Sequence, residues 1–158
     1  MQAISPFLWF DDQAEQAAEF YVSIFDNSAI TSISRYPEGS PYPAGTAMGV
    51  SFVLDGLEFQ ALNAGPMFHF TEAISFFVSA ETQERIDYLW YALLAGGGTE
   101  SQCGWLKDRF GLSWQIVPPA LGQLMGDPDP EKSSRTMQAM LKMQKIVIAD
   151  LQRAHDGE

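Results

Sequence analysis

A chain of 158 residues, 46% hydrophobic and 18% charged, is long enough to bury about two thirds of its unfolded surface in one compact domain. Nine basic against twenty acidic residues give a formal charge of −11, which repels phosphate backbones and anionic membrane surfaces and excludes nucleic acid and lipid as expected partners. No apolar run approaches the roughly 18 residues that cross a bilayer, no basic patch with an apolar stretch opens the chain, and one cysteine cannot form an internal disulfide, so a cytoplasmic location is expected.

"ISPFLWF" (4–10) is aromatic and β-rich, and it leads into "DDQAEQAAEFYVSIF". There Ala14, Ala17, Ala18, Tyr21, Ile24 and Phe25 fall on one helical face, with Asp11 or Asp12 as the expected cap. "AITSISRY" predicts a short strand, and the Pro- and Gly-rich "PEGSPYPAGT" (37–46) predicts a loop, either a plain connection or a flexible flap. In "AMGVSFVLDGLEFQALN" (47–63), Asp55-Gly56 between alternating runs predicts a two-residue hairpin turn. Leu54 then opposes Leu57, Phe52 opposes Phe59, Val50 opposes Ala61 and Met48 opposes Asn63. One face of this hairpin is apolar and suited to receive a helix, whereas the other carries Ser51, Val53, Glu58, Gln60 and Leu62.

The pattern then restarts. "AISFFVSA" (73–80) predicts a strand, and "ETQERIDYLWYALLAGGG" predicts a helix with Ile86, Leu89, Trp90, Leu93 and Leu94 inward and glycine at its exit. Laid over the first half at an offset of 69, Phe7 meets Phe76, Tyr21 meets Trp90 and Ile24 meets Leu93. "GLEFQAL" (56–62) lies over "GLSWQIV" (111–117) at an offset of 55. Two tandem β-α-β-β-β modules, about 2–65 and 71–119, are the economical reading, followed by a helical tail at about 120–155. In that tail Asp127-Pro128-Asp129-Pro130 blocks helix until about Glu131, and Met137, Met140 and Leu141 make an apolar stripe expected to pack on its own domain or across a dimer.

The combination of "ISPFLWFDDQAEQAAEFYVSIF", "RYPEG", "LNAGP", "TEAISF", "CGWLKDRFGLSWQIVP" and "AMLKMQKI" resembles the PhnB-like branch of the vicinal oxygen chelate superfamily, the glyoxalase and bleomycin-resistance fold. The resemblance covers residues 2 to about 155 and implies an α+β fold: tandem modules curl into a sheet around a cavity with helices outside. It also implies a homodimer. Members of the branch are often labelled 3-demethylubiquinone methyltransferases. Metal-dependent relatives place His, Gln or Glu ligands on the first and last strands of each half, and those positions fall here near Pro6, Gln60, Ser75 and Gln115. Proline offers no donor and a serine with two amides is a poor replacement for carboxylates and imidazoles, so neither a metal nor another cofactor is expected.

Candidate site residues follow from both readings. Gln60, Gln115 and Ser75 offer polar groups on the implied cavity face, and Trp9 and Trp105 offer stacking surface for a flat small-molecule ligand. His69, in "MFHF", is either an acid or base at the cavity mouth or an ordinary loop histidine, and His155 lies in a tail expected to fray. Cys103 has cations nearby in Lys107 and Arg109 but no partner histidine. The offset of 55 lays Cys103 over Met48 and Trp105 over Val50, on the helix-facing side, which favours an inert buried thiol. Asp108 and Gly111 are expected to build the turn.

Three functions remain open on the sequence. One is a small-molecule binding protein without a His/Glu metal centre. The second is an enzyme: a lyase, dioxygenase or isomerase with an altered metal site, or the methyltransferase of the family label. No G-x-G-x-x-G loop after a strand is present to hold a nucleotide methyl donor. The third is an interaction protein whose function is its dimer.

Overall fold

Asp55 and Gly56 adopt φ of 46° and 82°, the left-handed pair that a two-residue hairpin turn requires. They join β3 (Ala47–Leu54) to β4 (Leu57–Asn63), and the register is the expected one, with Leu54 against Leu57, Phe52 against Phe59 and Val50 against Ala61. The computed structural model describes residues 2–158, which form two compact units, one through Phe70 and one Thr71–Glu158.

In the first unit β1 (Phe7–Phe10) runs parallel to β4, and β2 (Ala29–Arg35) runs antiparallel to β3, giving the order β1-β4-β3-β2. A parallel pair needs a crossover. Here it includes α1 (Ala14–Ile24), whose Ala17, Ala18 and Tyr21 are fully buried. Val50, Phe52, Phe59 and Ala61 are buried beneath it, with Phe52 stacked on Phe59 at 5.2 Å. Neither Asp11 nor Asp12 caps the helix. The boundary residue is Gln13, and the Ala14 amide donates instead to Asn63 Oδ1 at 2.8 Å. A residue from the far end of the last strand can do this because the parallel ladder ends beside the helix start. The 37–46 loop is pinned rather than loose: Tyr36 and Thr46 close it through the backbone, and Tyr42 lies on Tyr36 at 4.6 Å.

The second unit repeats the plan with β5 (Ser75–Ser79), α2 (Gln83–Leu94), β6 (Thr99–Glu100), β7 (Trp105–Lys107) and β8 (Ser113–Val117), in the order β5-β8-β7-β6. Ile86, Leu89, Trp90 and Leu93 are fully buried, as are Leu106 and Ile116 on the sheet. Asp108 builds the β7–β8 turn. Its Oδ1 accepts from the Phe110 and Leu112 amides at 2.9 and 3.1 Å, and its Oδ2 accepts from Trp114 Nε1 at 2.9 Å.

The tail holds three helices, α3 (Pro119–Met125), α4 (Pro130–Leu141) and α5 (Ile148–Asp156). The Asp127–Pro130 segment breaks the chain into α3 and α4, with Asp129 capping α4 through Glu131 N at 3.0 Å. Val117, Leu121, Ile146 and Leu151 form the tail's core, joined by Met140, while Met137 and Leu141 of the expected stripe remain exposed. The 143–148 segment is bound to the second unit: Cys103 N and Gly104 N donate to Met143 O and Gln144 O, each at 2.8 Å, and Gln83 holds Ile146 O and Ile148 N. Gly104, at φ 84°, has no room for a side chain, since a Cβ would lie 2.9 Å from Ile116 O and 3.1 Å from Ile146.

His155 is buried, not frayed. Its Nε2 lies 2.8 Å from Asp127 Oδ2 and its Nδ1 3.0 Å from Asp156 Oδ1, while Arg135 of α4 donates to the carbonyls of Ala154 and His155. Hydrogen bonds to Asp156 and then Asp127 raise the imidazole above its ordinary 6.5. Asp127 is lowered from 3.8 by the Asp129 amide first and His155 second, and Asp156 by His155 first and Gln152 second; Lys132 adds to both.

Two outcomes follow. Asp108→Ala strands three donors in a buried turn and should lower the unfolding free energy by about 2–3 kcal/mol in urea melts followed by tryptophan fluorescence. The raised His155 stabilises below 6.5 and loses its contribution as pH rises through its native value, whereas the lowered Asp127 and Asp156 stabilise above 3.8 and lose theirs as pH falls. Amide exchange in α5 should therefore be best protected between those values and weaken as pH rises through the raised imidazole value, and His155→Gln should remove the upper limb.

Candidate functional site

Each sheet has one face against its helix and one face open, and the open faces carry the polar groups. In the first unit Gln60 stands opposite Phe7 on one side and Ser51 on the other. A groove of about 310 Å³ lies along this face, lined in part by Phe7, Ser32, Gly49, Ser51, Gln60 and Leu62. Gln60 Nε2 donates to Ser5 Oγ at 3.1 Å. In the second unit Gln115 stands opposite Phe77 and Trp105, and its Nε2 donates to Ser75 Oγ at 2.9 Å.

The two halves are therefore more alike than the offset of 69 allowed. Strand pairing matches Phe7 with Phe77 and Ser5 with Ser75, an offset of 70, while the helices match Tyr21 with Trp90 at 69. The path from Phe77 to Trp90 is therefore one residue shorter than the path from Phe7 to Tyr21. In a strand a slip of one residue exchanges the faces. Phe7 and Phe77 are both exposed, and Ser5, not Pro6, is the residue bonded to Gln60. The repeated "AIS" at 3–5 and 73–75 was the available signal.

A second slip corrects Trp105. Asp108 N donates to Leu112 O, enclosing three residues where the first half has two, so Trp105 matches Ser51 rather than Val50. Trp105 is thus on the open face beside Gln115. Cys103 lies before β7 in a turn, at φ 60° and half-buried, so it has no helix-facing strand position.

Trp9 is also on an open face, two residues from Phe7, but its Nε1 is used by Gly65 O at 2.9 Å and its ring meets Phe68 edge-on at 4.8 Å. His69 is exposed on the β4–β5 loop. The structure thus brings Gln60 together with Ser5, and Gln115 with Ser75 and Trp105, and it brings Cys103 and His69 to neither group.

Two residues missed by sequence reading share the second open face. Lys107 and Ser113 are paired across β7 and β8 two residues from Gln115, and Ser75 flanks Ser113 on the other side. Lys107 pairs with Glu72, whose carboxyl is held below its ordinary range first by the hydrogen bond from Lys107. Ser113 is 1% exposed, and its Oγ has no hydrogen-bond partner among the described residues.

A larger groove of about 470 Å³ flanks the start of α1, lined by Asp11, Asp12, Glu15 and Glu19 with Arg35, Tyr36 and Tyr42. Its groups are largely engaged with one another: Arg35 pairs with Glu15 at 3.1 Å, and the Tyr36 hydroxyl donates to Asn63 O. Burial, then the Tyr42 hydroxyl, raises Tyr36 above its usual value. Nothing in the second unit repeats this arrangement at α2, where Gln83 and Asp87 face the tail through Ile146 and Lys145.

Residues 2–117 match the family described as 3-demethylubiquinone-9 3-methyltransferase. The chain belongs to this PhnB-like family. A PhnB protein from Bacillus cereus, provisionally described by the same activity, is 39% identical over 74% of this chain and 99% of its own, with a TM-score of 0.69. A Pseudomonas aeruginosa protein is 19% identical, covering 75% of this chain and 98% of its own at a TM-score of 0.62. The fosfomycin resistance protein FosX of Listeria monocytogenes, complexed with manganese(II) and sulfate, is 15% identical, covering 73% and 91% at a TM-score of 0.53. The latter two share the fold alone. No curated protein matches the chain. The tail helices lie beyond the span of the family match.

The fold family implies a divalent metal, and this PhnB-like chain does not offer the donors for one. The matched strand positions hold two serines and two glutamines already bonded to each other, and no three His, Cys, Asp or Glu residues converge among the described residues. Neutral hydroxyl and amide oxygens bind Zn²⁺ or Mn²⁺ weakly. Protein purified without chelator should carry far less than one equivalent of Mn, Fe, Ni or Zn by plasma mass spectrometry; a stoichiometric metal would overturn this assignment.

Proposed function

We propose that this PhnB-like protein is a small-molecule binding module whose open sheet faces each offer a ligand surface, with Gln60 orienting a ligand on the first, Gln115 on the second, and aromatic side chains flanking each. The observation that carries the reading is the duplicated serine–glutamine hydrogen bond with an exposed phenylalanine opposite each glutamine. A ligand site needs apolar surface for affinity and a few placed polar groups for orientation, and both faces supply that pairing. Trp105 beside Gln115 adds a stacking surface to the second face.

The family description names a methyl transfer. A nucleotide methyl donor needs a strand–helix connection whose backbone approaches it closely, and the three such connections among the described residues read Asp-Asp-Gln before α1, Ala-Glu-Thr before α2 and Pro118 before α3, without glycine. Binding without chemistry therefore accounts for this site better than the enzyme reading. We also propose a homodimer, supported by the exposed Ile4, Phe7, Ile74 and Phe77 at the β1 and β5 edges of the two sheets. If the dimer instead carries the function, ligand screens return nothing.

A thermal-shift screen of aromatic acids, quinones and aromatic antibiotics tests the reading, with sedimentation velocity on the same samples for the dimer. At least one class should raise the melting temperature, and Gln115→Leu should weaken that ligand by about tenfold through loss of a buried polar contact. No shift from any class, or full binding by Gln115→Leu, would refute it.

A further inference from the structure

The two open faces share a backbone but differ in charge at one matched pair of positions. Two residues toward the turn from Gln60, the first unit has Glu58 paired with Val53. Two residues toward the turn from Gln115, the second unit has Ser113 paired with Lys107. A carboxylate on one face is thus replaced by a hydroxyl and an ammonium on the other.

Ser113 is the informative residue. A buried hydroxyl without a partner forfeits its hydrogen bond to water and gains nothing in exchange, so native structures rarely keep one without a use. Its side chain shares the face of Gln115, Lys107 and Ser75. Ser75 Oγ accepts from Gln115 and retains its own O–H to donate. Lys107 already meets a carboxylate, that of Glu72. Both partners are substantially exposed, with side-chain accessibilities of 41% and 58%, and solvent-exposed ion pairs exchange readily for another anion.

We infer that Ser113, Lys107 and Ser75 form an oxyanion subsite on the second unit's open face, which selects an aromatic ligand carrying a carboxylate or a like oxyanion. The acid group takes the place of Glu72 at Lys107, opens access to Ser113 and receives donation from both serine hydroxyls, while the ring lies toward Trp105 and Phe77. The formal charge of −11 does not oppose this at close range, because fields from exposed charges are screened beyond about 8–10 Å at physiological salt. The inference rests on the proposed binding function and specifies its ligand class.

The test uses the full chain with 2-naphthoate and its neutral isostere 2-naphthamide, titrated by tryptophan fluorescence and calorimetry. Naphthoate should bind at least about tenfold more tightly than the amide. Ser113→Ala and Lys107→Gln should each weaken naphthoate by about five- to tenfold and leave the amide within twofold, while Lys142→Gln, the same change in net charge on the exposed tail, should alter neither. Without ligand, Ser113→Ala should melt at or above the wild-type temperature, since it deletes an unpartnered hydroxyl. Equal binding of acid and amide, or naphthoate binding indifferent to Ser113→Ala, overturns the oxyanion subsite and leaves the proposed binding function standing. A lower melting temperature for Ser113→Ala also overturns it, because the hydroxyl would then serve the fold. If neither compound binds, the binding function fails and the subsite with it.

Discussion

The parallel ladder between the first and last strands of each unit is the constraint on which the site depends. Parallel strands cannot be joined by a tight turn, so the chain must cross over, and the crossover lays a helix on one face only. The most deeply buried apolar residues of the far strands turn to that helix: Phe52 and Phe59 in the first unit, with Phe52 against Tyr21, and Leu106 and Ile116 in the second. The other face is left to residues that no helix covers. The same ladder brings Ser5 to Gln60 and Ser75 to Gln115, residues far apart in the chain, and the Ala14 amide to Asn63.

Duplication of that plan did not preserve its chemistry. One residue fewer between Phe77 and Trp90 and one more in the β7–β8 turn shift the strands against the helices, and with a period of two each shift reassigns which side chains face outward. The second unit obtains Trp105 and Lys107 on its open face by this route, whereas Ser113 replaces Glu58 at a matched position. The first keeps Ser51, Val53 and Glu58 at the matched places. The two surfaces thus share a backbone plan and differ in charge.

Much of this was legible from residue order. The Asp55-Gly56 turn dictated the β3–β4 register because few residues other than glycine, asparagine and aspartate tolerate the left-handed backbone the turn needs. The helices were legible because Tyr21 and Trp90 sit in strong apolar periodicities. The strand offset was not, because the helices dominate an alignment of the halves and conceal a single-residue change in the path from strand to helix. Trp105 was misassigned for the same reason: a three-residue turn held by Asp108 cannot be told from a two-residue turn by composition. Ser113 carried no signal, since a serine in a strand looks ordinary until its burial and missing partner are known. His155 was hidden because Asp127 meets it only after α4 and α5 have folded back.

The tail acts on the second open face from behind. Strand β7 has three residues, and β6 on its outer side has two, a ladder too short to hold Trp105 and Lys107 rigidly on its own. The 143–146 segment supplies the missing support by accepting from the amides of Cys103 and Gly104 just before β7, and Ile146 sits against Gly104, where any side chain would push it away. Gln83 and Lys145 then tie that segment to α2, so the β7 entry and the helix across the sheet are braced by one strap. Among the described residues the first unit shows no such brace and needs none, because its β3 has eight residues with seven-residue partners on both sides. Cys103 belongs to this brace: its left-handed backbone turns the chain so that consecutive amides, its own and that of Gly104, reach the strap.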